Sequence, residues 1–229
     1  MKLFFGEIIP EIKINDDEQQ HILKVLRLKN SDEIYLTDGK GNAAKGNLLI
    51  EGKKVSLENT EILPFENKNS AGLHIAIAPT KNIDRIEFFL EKAIEMGVSE
   101  VSFLQTDHSE RKNLNFERLQ KQAIAASKQS LRFQFPILND LQKLGDFLDK
   151  NELQNCVVAH CNEDFKRSSL SKISKENTII LIGPEGDFSE REIKLLQEKN
   201  IVAVSLGNRR LRTETAGIFV AAWIYFGEF

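Results

Sequence analysis

The stretch Thr178-Ile179-Ile180-Leu181-Ile182-Gly183-Pro184-Glu185-Gly186-Asp187-Phe188-Ser189 decides how the chain is read. Its first five residues are β-favouring and apolar without alternation, the signature of a strand buried on both faces in a parallel sheet. Gly183 ends the strand. Ser189 opens a helix, and Glu192 three residues later completes a capping box. Gly183 to Phe188 is therefore a strand-to-helix loop at the C-terminal end of a parallel strand, where open α/β sheets bind ligands. The geometry recurs: the strand Ile201 to Leu206 ends at Gly207, and Asn208-Arg209-Arg210-Leu211-Arg212 leads into a helix from about Thr213 to Phe226. Thr213 or Thr215 can cap that helix.

Outward from these loops, residues 69–229 alternate strand and helix. Leu73 to Ala78, Val101 to Leu104 and Cys156 to His160 read as further strands. Ile83, Ile86, Leu90 and Ala93 mark one face of a helix closed by Gly97, and another helix runs from about Phe116 to Ser130. The last helix is almost entirely apolar and must be buried, against the sheet or another subunit. The alternation implies an α/β domain with a parallel sheet. Residues 1–68 differ: Leu3-Phe4-Phe5, Ile34-Tyr35-Leu36, Ala43 to Ile50 and Val55 to Leu57 are short strands separated by turns at Asp38-Gly39 and Glu51-Gly52. They suggest a small β-barrel, interrupted by one helix with Ile22, Val25 and Leu26 on one face and Lys24 and Arg27 elsewhere. Pro64 to Ser70 is the candidate linker.

Composition narrows the class. The chain has 229 residues, 41% of them hydrophobic and 28% charged, enough for one large or two modest cores. No apolar run approaches the roughly 20 residues of a membrane-spanning helix, and residues 1–7 do not begin a signal peptide, so a soluble cytoplasmic protein without membrane partners is expected. Cys156 and Cys161 make no disulfide framework, and a buried free thiol is a better reading than a metal ligand; no metal is expected. The net charge of −3 excludes a simple nucleic-acid coat protein. Locally, Arg111, Lys112, Arg118, Lys121, Lys128 and Arg132 outweigh Glu110 and Glu117. That stretch is either an RNA footprint on one face or a solvated helix surface.

The loop chemistry restricts the ligand. A phosphate-binding P-loop needs Gly-Lys-Ser/Thr where the chain has Gly186-Asp187-Phe188, and Glu185 stands where a dinucleotide motif needs its second glycine. The acidic loop suits a ligand that lacks phosphates and carries positive charge, such as S-adenosylmethionine, although a tight structural turn would need the same glycines. Arg209, Arg210 and Arg212 flank the N-terminus of the last helix, which favours anions such as an RNA phosphate or a carboxylate. Arg209 and Arg210 read equally well as surface residues; Arg212, in a short loop against a buried helix, reads as functional.

Ile182 to Ser189, followed by Leu206-Gly207-x-x-x-Leu211-Arg212-Thr213-Glu214-Thr215-Ala216, resembles the bacterial 16S ribosomal RNA (uracil-N3)-methyltransferases of the SPOUT class. The resemblance covers essentially the whole chain. His21 to Arg27, Asp38-Gly39, Glu91-Lys92 with Glu95 to Val98, and Gln129-Ser130-Leu131-Arg132 match as well. Asp187 replaces a usual glycine, Arg210 a usual aliphatic residue, and the stretch Thr106 to Arg111 follows the pattern only loosely. The resemblance implies a PUA-like RNA-binding barrel over residues 1–68 and a methyltransferase domain over 69–229 whose chain forms a trefoil knot. It also implies a homodimer acting on the small ribosomal subunit. The implied reaction is S-adenosylmethionine-dependent methylation at N3 of one uridine, position 1498 in the family target. By motif position it assigns the cofactor to Leu181, Gly183, Glu185, Leu206, Gly207 and Leu211.

N3 of uracil lies on the pairing edge and holds a weakly acidic proton, so the base must be exposed and its anion favoured. Arg132 and Arg212 are the candidates for that electrostatic role. Glu214 either accepts the proton or pairs with Arg212. Lys24, Arg27, Arg111 and Arg132 are the candidate RNA contacts. His74 reads as structural, and His160 as a candidate base at a strand end. A ribose or guanine methyltransferase of the same class, and a non-catalytic ribosome-assembly protein, are the competing readings.

Overall fold

The structure, a computed structural model, describes residues 1–64, 72–162 and 166–226. The candidate linker after Pro64 lies outside the described residues. The chain forms two compact units: Met1–Lys68 with Ile124–Phe135, and Asn69–Ala123 with Pro136–Phe229.

In the first unit, β1 (Leu3–Glu7), β2 (Lys13–Ile14), β3 (Glu33–Thr37), β4 (Ala43–Glu51) and β5 (Lys54–Leu63) form a nearly closed, barrel-like sheet in the order β2-β1-β3-β4-β5. The β1–β3 pair is parallel and the remaining pairs antiparallel. Alternate residues of these strands fill the interior: Phe4, Ile34, Leu36, Ala44, Leu48 and Val55 are buried together with Ile8, Ile14 and Ile22. The helix expected here is a short α1 (Asp16–Gln20) running into a π-helical turn over His21–Leu26. The wider turn, closed by the Arg27 N–H on the Ile22 carbonyl, overturns the expected face. Ile22 is fully buried, but Val25 is 66% and Leu26 42% exposed, while Leu23 and Leu28 pack against the core instead.

The second unit is a seven-stranded sheet in the order β10-β12-β9-β11-β6-β7-β8, parallel throughout. Its strands are β6 (His74–Ile77), β7 (Glu100–Gln105), β8 (Ile137–Lys143), β9 (Cys156–Ala159), β10 (Ser168–Ser169), β11 (Ile179–Ile182) and β12 (Val202–Ser205). Its helices are α2 (Ile83–Glu95), α4 (Leu144–Lys150), α5 (Glu190–Glu198) and α6 (Thr213–Tyr225), while α3 (Phe116–Gln129) starts in this unit and ends in the first. Ile180, Leu181 and Ile182 are buried, as an unalternating apolar run requires of a strand covered on both faces. The edge strand β8 was not legible in the sequence, because its polar residues carry no apolar run and its side chains stay partly exposed. β11 lies between β6 and β9, with β12 outside β9. In a parallel sheet this sets the loops after β9, β11 and β12 side by side on one edge.

The all-round apolar α6 is only half enclosed. Ala216, Gly217, Val220, Ala221 and Ile224 are buried, and Gly217 allows the ring of Phe89 on α2 to approach closely. Phe219 on α6 and Phe88 on α2 remain exposed.

Candidate active site

The three adjacent loops enclose a cavity of about 340 Å³. Gly183 and Gly207 contribute backbone, and Ile182, Val204, Leu206, Leu211 and Ala216 contribute apolar walls. Its polar lining residues are the acidic Glu185 and Asp187 and the basic Arg167, Arg209, Arg210 and Arg212. The volume suits a nucleoside-sized ligand. Apolar walls fit a flat base, the two carboxylates fit positive centres, and the arginines fit a carboxylate. This donor set matches S-adenosylmethionine, with its adenine, sulfonium, ammonium and carboxylate.

Local hydrogen bonds shape the β11 loop. Pro184 accepts from the Asp187 N–H at 3.0 Å, closing a tight turn. Asp187 has φ +63°, the left-handed conformation that glycine adopts freely and that Asp tolerates better than most residues. Its carboxylate accepts from the N–H of Cys161 at 2.7 Å and of Phe188 at 2.9 Å, so it ties the β9 loop to the β11 loop. His108 Nδ1 lies 3.1 Å from the Gly186 carbonyl and 3.0 Å from that of Asp187. Glu185 is held by the Lys81 N–H at 3.2 Å, and its own carbonyl accepts from Arg210 at 3.2 Å. The expected capping box is present: Ser189 Oγ accepts from the Glu192 N–H, and Glu192 Oε2 accepts from the Ser189 N–H.

Neither threonine caps α6. Arg212 occupies the cap position with no side-chain cap bond, and the buried Thr213 hydroxyl donates to the Gly183 carbonyl at 3.0 Å. Thr213 thus joins the β11 and β12 loops. His160 lines the cavity, where burial holds its imidazole below the ordinary value; the Asp187 charge opposes this and Arg167 reinforces it.

Of the residues assigned to the cofactor, Gly183, Glu185, Leu206, Gly207 and Leu211 line the cavity. Leu181 does not: strand alternation turns it into the core beside Val158, Phe188 and Ile193, and Ile182 lines the cavity instead. Arg212 is in the lining. Glu214 is not; it is buried in the first turn of α6 with Arg85 Nε 3.7 Å away, so the expected Arg212 partner is replaced by Arg85. Arg132 belongs to the first unit, as do Lys24 and Arg27, both exposed on the π-helical turn and its cap. Arg111 spends its guanidinium on the carbonyls of Thr80, at 3.0 Å, and Lys81. Much of the basic stretch is likewise paired within the chain: Arg118 with Glu87, Lys121 with Glu117 and Lys128 with Glu18. These charges are spent within the chain, Lys128 on the buried Glu18, which counts against a free basic footprint at those residues.

His74 is structural, buried beside Ser102 at 2.8 Å and edge-on to Phe147. Cys156 is buried, and burial pushes its thiol up to about 12, whereas Cys161 is exposed in the cavity lining. Sequence reasoning missed Arg167 and Cys161 as parts of this site, and gave Asp187 only as part of the acidic loop. The available signal was the position of the β9 loop on the ligand-binding edge. Among the described residues no cluster of three His, Cys, Asp or Glu side chains is placed to hold a metal, and no helix is long and apolar enough to cross a membrane.

Residues 67–225 match the family model of an RNA methyltransferase domain, and residues 14–57 match that of an RNA methyltransferase PUA domain. The ribosomal RNA small subunit methyltransferase E of Rickettsia conorii is 31% identical over 224 residues, covering 93% of this chain and 89% of that protein. A crystal structure described as a probable rRNA-methyltransferase from Porphyromonas gingivalis superposes with a TM-score of 0.87 at 37% identity, covering 99% of this chain and 98% of that one. The Neisseria gonorrhoeae ribosomal RNA small subunit methyltransferase E, bound to S-adenosyl methionine, superposes with a TM-score of 0.85 at 26% identity, covering 99% and 97%. Matched along nearly its whole length, with the glycine loops of the motif forming one cavity, the chain belongs to the bacterial ribosomal RNA small subunit methyltransferase E family.

Proposed function

We propose that this protein transfers the methyl group of S-adenosylmethionine to N3 of a single uridine in 16S ribosomal RNA. The observation that carries the reading is the cavity after β9, β11 and β12: it pairs glycine backbone and apolar walls with carboxylates and lacks the Lys-Ser/Thr of a phosphate site. Two relatives whose names or titles describe small-subunit ribosomal RNA methyltransferases, one of them cofactor-bound, support it. When bound, the cofactor would supply an electrophilic methyl on sulfur, with the neutral thioether as leaving group, and N3 would exchange its proton for that methyl.

Gly183, Leu206, Gly207 and Leu211 would hold the cofactor, with Glu185 adding negative charge beside it and Asp187 tying together the loops around it. Arg212, exposed at the mouth of the same loops, favours the uracil anion. Arg132 shares that role by its place in the family motif. The N3 proton leaves to solvent, and Glu214 is a structural residue of the α6 turn. Lys24 and Arg27 contact RNA phosphates from a barrel domain, residues 1–68, while residues 69–229 form the knotted methyltransferase domain. The protein acts as a homodimer in the cytoplasm, where ribosomes assemble. The exposed Phe88 and Phe219 on the adjacent helices α2 and α6 support the dimer.

The test is transfer of labelled methyl to small ribosomal subunits, followed by identification of the product nucleoside. N3-methyluridine is expected, and a 2′-O-methyl nucleoside or methylguanosine overturns the reading. Arg212→Ala is expected to lower turnover on the order of 10²-fold with the fold intact; near-normal transfer removes Arg212 from the mechanism.

A further inference from the structure

Two sequence motifs with no obvious chemistry in common, Asp38-Gly39 and Gln129-Ser130-Leu131-Arg132, meet inside the first unit. We infer that the Asp38-Gly39 turn is a positioning element for Arg132 in methyl transfer. The inference rests on the role given to Arg132 above and asks how that side chain is held.

Arg132 sits between two anchored points. Before it, α3 ends with the Leu131 N–H on the Lys128 carbonyl at 3.2 Å and the Arg132 N–H on the Ser127 carbonyl at 2.9 Å, with Leu131 at φ +59°. After it, the Phe133 carbonyl accepts from the Thr37 hydroxyl at 2.7 Å and from the Gly41 N–H at 3.1 Å, and the Phe135 N–H donates to the Gly39 carbonyl at 2.8 Å. An isolated bridge pairs Lys40 with Gln134, so the segment after Arg132 is fastened to the turn as a short added strand.

The turn itself is rigid. Asp38 Oδ1 accepts from the N–H groups of Lys40 at 2.8 Å and Asn42 at 3.2 Å, and Oδ2 accepts from the Asn42 amide at 2.7 Å. Gly39 has φ +71°, and a Cβ there would lie 2.7 Å from the Phe135 ring, which in turn packs 5.4 Å from the ring of Phe5. Glycine is thus required twice, for its backbone conformation and for the space the ring occupies. A slip of Arg132 in register would break the bonds at Thr37, Gly39 and Gly41 together. A guanidinium that stabilises developing charge is effective only if held in place before the reaction. The turn supplies that restraint without touching substrate.

The experiment measures methyl transfer to small ribosomal subunits and S-adenosylmethionine affinity for wild type, Gly39→Ala, Arg132→Ala and the double variant. Each single change is expected to lower kcat on the order of 10²-fold, with cofactor affinity within about twofold of wild type. The double variant is expected to be no slower than Arg132→Ala, because the turn acts through that residue. Thr37→Val, close in shape and suited to a strand, removes the hydroxyl that donates to the Phe133 and Asn42 carbonyls and accepts from the Gly39 N–H, and is expected to cost about tenfold, which keeps the test valid if Gly39→Ala misfolds. Multiplicative losses in the double variant overturn the inference, as does normal turnover in both turn variants when Arg132→Ala is impaired. Normal turnover of Arg132→Ala instead refutes the role of Arg132 itself, and the positioning role with it.

Discussion

Replacing Asp187 should loosen the cofactor cavity without unfolding the protein. The carboxylate joins two loops by accepting from Cys161 N–H at 2.7 Å and Phe188 N–H at 2.9 Å, both bonds to a charged acceptor. Such bonds are worth about 1.5–3 kcal/mol each when shielded, and partial exposure places these at the lower end. Asp187→Asn keeps a side chain tolerant of the left-handed backbone and one carbonyl acceptor, so it loses about one bond. Asp187→Gly is unstrained at φ +63° but loses both. At 1.4 kcal/mol per tenfold, the expected loss of S-adenosylmethionine affinity is about tenfold for Asn and up to about 10²-fold for Gly. Calorimetric titration measures the affinities, and amide exchange at Cys161 reports the loop directly. Faster exchange should accompany the weaker binding. If Asp187→Gly binds within about twofold of wild type and the Cys161 amide remains protected, the carboxylate bridge does not shape the cavity.

Gly217→Ala would set a Cβ 2.5 Å from the buried ring of Phe89, and overpacking of about 1–3 kcal/mol exceeds the gain of about 1 kcal/mol from replacing a helical glycine. A urea melt should show a net loss of about 1 kcal/mol, and unchanged or raised stability would mean that α2 and α6 part freely. Burial holds His74 below the ordinary value of about 6.5, against the opposing charge of Glu100, so the unfolded chain binds the proton first. Stability should be full above that pH and fall as pH drops below about 6.5 toward the folded value. His74→Asn should flatten the dependence of Tm on pH in that window, and an unchanged slope would exclude His74 as a source.

The elements that sequence alone determined are those whose pattern is local. The run Thr178 to Ile182 specified a strand buried on both faces, Ser189 with Glu192 specified the start of α5, and Ile86, Leu90 and Ala93 specified the buried face of α2. The order of glycine loops along the chain was equally legible, and it carried the family. Tertiary structure decided what depends on neighbours distant in sequence. Leu181 and Ile182 are adjacent and chemically alike, yet strand alternation turns one into the core and the other toward the cavity. Val25 and Leu26 follow a helical spacing, but a π-helical turn leaves them exposed. Thr213 and Thr215 are equally suited to cap α6 by local pattern, but the Gly183 carbonyl from the β11 loop takes the Thr213 hydroxyl at 3.0 Å. Periodicity records which way a side chain faces along its own element; a partner across the sheet or from another loop leaves no local trace.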